Sequence, residues 1–139
     1  MGEHMVRYQE TLGSMRADNL LGFFAEWPAR PSAETQLAVL ANSDYLVVAV
    51  DEASGQVLGF ITALSDGVLT AHISLLEVLP THRRRGIGSE LVQRMLLKLQ
   101  HLYAVDLLCD PELQSFYGKL GMVRASGMCI RRYERTSGS

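Results

Sequence analysis

The chain has 139 residues, of which 47% are hydrophobic and 20% charged, with a formal net charge of −2. That length suits one domain, 1–139, with a substantial core, and the near-neutral balance gives no global footprint for nucleic acid or an anionic membrane. No apolar stretch approaches the ~20 residues that span a bilayer. The N-terminal MGEHMVRYQE is too polar to supply the apolar core of a signal peptide, so a cytoplasmic protein is expected.

The ends, Met1–His4 and Thr136–Ser139, are short and polar or small, and read as loosely held. Met5–Gln9 is a candidate first strand. Asp18–Trp27 and Ala33–Asn42 read as two short helices separated by Pro28 and Pro31, with Ser32 placed to cap the second. Tyr45–Val50 (YLVVAV) is an apolar run of strand length and β-branched content. The turn cluster Asp51–Gln56 returns the chain as a second strand of a meander, Val57–Ala63, and Ser65–Gly67 turns it into a third that ends near Leu79.

Beyond three consecutive arginines, Arg83–Arg85, the period changes. Leu91, Val92, Met95, Leu96 and Leu99 make an apolar stripe, with Glu90, Gln93, Arg94 and Lys98 on the other face. Val105–Cys109 is a short strand. Pro111 suits the first turn of a helix, which Leu113, Phe116, Tyr117 and Leu120 continue to a stop at Gly121. Cys129–Tyr133 is expected as a last strand. The order β-α-α-β-β-β-α-β-α-β predicts an α+β domain with a helical crossover between the strands ending at Leu79 and Cys109. The two cysteines, Cys109 and Cys129, lack CxxC spacing and are expected to be buried structural thiols, so neither a disulfide framework nor a bound metal is expected.

The chemistry is concentrated between Glu77 and Leu91 (EVLPTHRRRGIGSEL). A strand ends at Leu79-Pro80, a helix starts near Gly88, and RRRGIG connects them. Gly86 and Gly88 let the backbone turn tightly and bring its N–H groups close to an anion. A helix N-terminus leaves several N–H donors unpaired and carries partial positive charge, and Arg83, Arg84 and Arg85 add full charges beside it. A diphosphate is the natural ligand for such a turn. A Walker A string, GxxxxGK followed by Ser or Thr, does not occur. The dinucleotide fingerprint GxGxxG fails because Leu91 stands where the third glycine belongs.

The segment resembles the GNAT superfamily of N-acetyltransferases. Arg83-Arg84-Arg85-Gly86-Ile87-Gly88 fits that family's central pattern, Arg/Gln-x-x-Gly-x-Gly/Ala, and Phe116-Tyr117-Gly118-Lys119-Leu120-Gly121-Met122 is close to its Phe-Tyr-x-Lys-x-Gly-Phe. The two motifs are separated by one helix and one strand, as the family requires. The resemblance implies a mixed, mostly antiparallel sheet flanked by helices. It also implies acetyl-CoA as co-substrate, and direct attack by a primary amine in a ternary complex, with a small-molecule or peptide amine as acceptor. A homodimer is compatible with it.

By the same resemblance, the backbone of Leu76 and Val78 pairs with the pantetheine arm of CoA, and an N–H of that strand polarises the thioester carbonyl. The diphosphate falls on the backbone of Arg83, Arg84, Arg85, Gly86, Ile87, Gly88 and Ser89, and Phe116 belongs to the same cofactor site. Asp110 stands where many relatives have an asparagine that contacts the pantetheine arm, and an aspartate offers acceptors only. Tyr117 matches the tyrosine that serves the departing thiolate. A phenol with a pKa of about 10 transfers a proton to a thiolate of about 8.5 only uphill, by roughly 2 kcal/mol, so hydrogen-bond donation is its expected role.

Two residues compete as general base. Glu77 is a carboxylate inside the apolar strand ISLLEVL, and His72 lies earlier on the same strand. Regular alternation places them on opposite faces unless a bulge shifts the register. The acceptor region is expected around Leu20–Pro31, where Phe23, Phe24 and Trp27 either line a pocket or pack in the core. The alternative from another class is a non-catalytic acyl-CoA-binding regulatory module. Nucleic-acid binding is weakly supported, because three adjacent arginines without an extended basic face leave little footprint.

Overall fold

The computed structural model describes residues 5–139, so the reading of Met1–His4 lies outside the described residues. Five strands form one sheet in the order β1-β2-β3-β4-β5: β1 (Val6–Gln9), β2 (Tyr45–Asp51), β3 (Val57–Ser65), β4 (Thr70–Val78) and β5 (Ala104–Asp106). The first four pair antiparallel, and β5 joins β4 in parallel after a helical crossover. The fold is α+β with a mixed, mostly antiparallel sheet.

Local chemistry explains the main elements. Helix α1 (Ala33–Asn42) begins where the Ser32 hydroxyl accepts from Thr35 N at 3.1 Å, as the sequence predicts. The β3–β4 turn is held by the Asp66 carboxylate, which accepts from the N–H groups of Val68 (2.8 Å) and Leu69 (2.7 Å). Helix α2 (Ile87–Lys98) buries Ile87, Leu91, Val92 and Met95 against β2 and β3. The opposite sheet face packs on the segment before α1, where the Phe23 and Phe60 rings lie 5.0 Å apart.

Gly59 marks the closest approach between sheet and helix. A Cβ there would stand 2.9 Å from the Glu77 carbonyl oxygen and 3.2 Å from Leu91 Cδ1. Backbone cannot yield as a flexible side-chain end does, so Gly59→Ala should cost about 1–3 kcal/mol, read as a lower urea midpoint with an unchanged slope.

Several expectations are corrected. Asp18–Trp27 is not a helix. A 3₁₀ turn covers Ala17–Leu20, after which Gly22 (φ +98°) and Phe24 (φ +60°) take left-handed backbone conformations that no α-helix accepts. β5 ends at Asp106, not at Cys109, because Leu107–Cys109 leave the ladder. The helix after Pro111 is a 3₁₀ turn (Pro111–Leu113) followed by the short α3 (Gln114–Gly118). Cys129–Tyr133 forms no strand, Cys129 is exposed, and Cys109 is only half-buried. In the tail, Thr136 is held by Ala29, accepting from its N–H and donating to its carbonyl, both at 2.8 Å.

The register of β4 decides the site. Thr62 pairs with Leu75 and Ala63 with Ile73, so Ser74 is an extra residue, and its hydroxyl meets that of Thr62 at 2.9 Å. His72 then lies opposite Leu64, and Glu77 opposite Phe60. Leu64 and Phe60 are four residues apart on β3, so His72 and Glu77 share one face of the sheet, contrary to regular alternation.

Candidate active site

The parallel pairing of β4 with β5 covers only Thr70–Ala104, Ala71–Val105 and His72–Asp106. Past that point the two strands separate, and among the described residues no strand pairs with the C-terminal half of β4 on that side. Leu79 N donates to Leu58 O across to β3. Antiparallel ladders alternate, so Glu77 and Leu75 also turn their backbone groups to β3, while Leu76 and Val78 turn theirs to the open side. These are the two residues whose main chain was expected to receive an extended ligand arm.

The open side of β4 leads to the start of α2. Gly86 caps that helix in a left-handed conformation (φ +83°) with no side-chain cap, and Glu90 N to Gly86 O is the first helical bond. The N–H groups of Ile87, Gly88 and Ser89 therefore have no intrahelical partner. Arg84 also adopts positive φ (+65°), a strained state for an arginine that fits the tight turn. Arg84 and Arg85 are exposed beside this end. Arg83 behaves differently: its Nε donates back to the Val78 carbonyl at 3.2 Å, so its charge sits at the end of β4. Phe116 packs on the helix start, 3.7 Å from where a Cβ on Gly88 would lie.

Tyr117 is 9% exposed and packs edge-on against Phe116, with ring centroids 4.9 Å apart. Burial pushes its phenol above the ordinary value, and the neighbouring Cys109 and Glu77 push in the same direction. It therefore stays protonated over the neutral range, as a hydrogen-bond donor must. Tyr117 and Cys109 line a groove of about 910 Å³ beside β5, and His72 borders that groove too. Asp110 is exposed at the 3₁₀ turn, its carbonyl accepting from Leu113 N at 2.9 Å, and its side chain caps nothing.

Glu77 lies at the far end of β4 in a cavity of about 140 Å³ shared with Phe24, Glu26, Trp27 and Arg83. Burial raises its pKa above the ordinary carboxylate value, Arg83 opposes that shift, and Glu26 adds to it. Phe24 and Trp27 meet in a T-shaped contact at 4.6 Å and form the aromatic wall. Phe23 and Phe24 are both buried in the core against Phe60 and both border this cavity, whereas Trp27 is exposed at its rim. His72, though on the same face, is exposed and four ladder steps from Glu77, roughly 13 Å at the usual strand rise. The two are separate groups, not a pair. Glu26 was missed from sequence; its one signal is that it is the only carboxylate between Gly22 and Pro31.

Among the described residues, no group of three or more His, Cys, Asp or Glu is placed to hold a metal ion, and no helix is long and apolar enough to cross a membrane.

This arrangement of fold and turn is that of a known family. The acetyltransferase (GNAT) family model matches residues 12–122, and the chain belongs to that family. A crystal structure from Deinococcus radiodurans R1, assigned as an acetyltransferase, is 42% identical with a TM-score of 0.92, covering 99% of this chain and 97% of that one. The chain is 28% identical over 135 residues to GCN5-related N-acetyltransferase 1, chloroplastic, of Arabidopsis thaliana, covering 91% of this chain and 68% of the relative. It is 26% identical over 102 residues to the N-acetyltransferase ycf52 of Pyropia yezoensis, itself uncharacterised. That match covers 70% of this chain, which spans only 58% of the length of ycf52.

Proposed function

We propose that the protein is an N-acetyltransferase that moves an acetyl group from acetyl-CoA to a primary amine by direct attack in a ternary complex. The observation that carries this reading is the continuous track from the outward-facing backbone of Leu76 and Val78 to the unpaired N–H groups of Ile87, Gly88 and Ser89. A ligand with an extended amide-bearing arm and a diphosphate suits that track, with Arg83 giving up the Val78 carbonyl when the arm pairs there. Family membership supports acetyl-CoA as that ligand.

The chain's own residues then divide the chemistry. An outward N–H of β4 donates a hydrogen bond to the thioester carbonyl oxygen as negative charge grows on it. Glu77, directly or through a water, takes the proton that the acceptor ammonium must lose before its nitrogen attacks the acetyl carbon. Its raised pKa brings it closer to the value a base working near neutrality needs. Tyr117 donates a hydrogen bond to the thiolate that leaves as the C–S bond breaks. Glu77 is preferred to His72 as base because it shares a cavity with the aromatic wall and senses Tyr117 electrostatically. The cavity admits a small amino group, from a small molecule or a side chain, and Glu26 adds a second carboxylate to attract it.

A panel of primary amines assayed for free CoA tests this reading. Release that requires both acetyl-CoA and an amine is the expected result. Acetyl-CoA binding without release from any amine would favour a non-catalytic acyl-CoA-binding module.

A further inference from the structure

Behind the Phe24–Trp27 pair lies a second cavity, of about 270 Å³. Phe24 and Trp27 border both it and the Glu77 cavity, so the two are neighbours across one aromatic wall. Phe24 is held in that wall at φ +60°, a strained state for a phenylalanine, with its ring against both Trp27 and Phe60. Glu77 lines the first cavity and Leu75 the second. They are two residues apart on one face of β4, about 7 Å at the usual strand rise.

The second cavity is largely apolar, with Phe60, Leu75 and Val39 among its walls. Gln36 borders it from α1 and is only 3% exposed. Its Nε2 donates to the Pro31 carbonyl at 2.9 Å, which fixes the orientation of the amide. Its Oε1 has no hydrogen-bond partner among the described residues. A buried acceptor left unpaired costs free energy, and a ligand that brings a donor recovers it. The charged residue on this lining is Arg135, exposed on the tail that Thr136 pins to Ala29. A second ammonium placed here meets a like charge and apolar walls together.

We propose that Gln36 selects the acceptor, its Oε1 accepting a hydrogen bond from a neutral donor at the far end of the molecule while the reacting amine lies at Glu77. The substrate class is then a primary amine on an uncharged apolar body, with an O–H or N–H donor roughly 7 Å from the amine. Diamines and polyamines are disfavoured, because their second cation falls beside Arg135. This rests on the acetyltransferase reading and adds to it the chemistry of the acceptor's far end.

Three straight-chain amines of equal length test it at saturating acetyl-CoA: aminopentanol, with amine and hydroxyl at opposite ends, hexylamine, which has a methyl in place of the hydroxyl, and cadaverine, which has a second amine there. The native chain should give its highest kcat/KM with aminopentanol. Gln36→Leu should lower the ratio of aminopentanol to hexylamine by roughly ten- to a hundredfold, the effect of removing the acceptor of a buried hydrogen bond. The change should fall on KM, because the far end is held equally in ground and transition states. Arg135→Gln, at an exposed position, avoids any change to the core and should raise kcat/KM for cadaverine relative to hexylamine severalfold. A ratio unmoved by Gln36→Leu, native turnover of cadaverine equal to that of aminopentanol, or no gain for cadaverine in Arg135→Gln would each overturn the inference and leave acetyl transfer standing. Release of CoA with no amine at all would remove the acetyltransferase reading, and this inference with it.

Discussion

Glu77→Gln should lower kcat by about 10²–10⁴-fold, the usual contribution of a general base, while making the folded protein more resistant to urea at neutral pH. The second half follows from linkage. Burial and Glu26 raise the Glu77 pKa in the folded chain, so its protonated form favours folding. That contribution is complete below the ordinary carboxylate value and is lost as pH rises through the raised one. Above the raised value the native protein holds an ionised carboxylate at a cost, which a neutral amide avoids. The stability gap between variant and native chain should widen as pH rises out of the ordinary carboxylate range and level off once the raised value is passed, with the variant the more stable. A purely structural Glu77 would give loss of stability instead. The parallel substitution His72→Gln, at an exposed position, should leave both kcat and stability near their native values.

The second large effect is expected at Tyr117. Tyr117→Phe keeps the ring contact with Phe116 and removes only the hydroxyl, so acetyl-CoA affinity should be retained. A hydrogen bond to a charged group contributes about 1.5–3 kcal/mol, which converts to a fall in kcat of roughly ten- to a hundredfold. The raised phenol pKa adds a pH signature: native activity should not decline on the alkaline side through ionisation of Tyr117 in the range where a free phenol begins to titrate. Steady-state kcat beside a direct binding titration separates the role in turnover from any role in affinity. Unchanged kcat would remove Tyr117 from the chemistry.

What the sequence revealed depended on the range of the interaction. The Ser32 cap, the α2 stripe and the Gly86-x-Gly88 turn are set by residues within a few positions of one another, and all are where the sequence places them. The bulge at Ser74 brings its hydroxyl onto that of Thr62 on another strand, a long-range contact that no local pattern on β4 announces. That one extra residue moved His72 and Glu77 to the same face. Arg83 carries the family motif, yet its side chain turns back to β4, because the Val78 carbonyl on the open side needs a donor. The strand expected at Cys129–Tyr133 has the right composition, but among the described residues its backbone pairs with no other strand, and strand pairing is a long-range condition that local composition does not report.

The central claim is that the track from Leu76 and Val78 to the N-terminus of α2 receives acetyl-CoA. Equilibrium unfolding with and without the ligand tests it most directly, since anything that binds only the folded state raises its stability. At a hundred times its Kd, acetyl-CoA should stabilise the protein by about 2.7 kcal/mol. An unfolding curve that does not move at saturating acetyl-CoA would contradict the account.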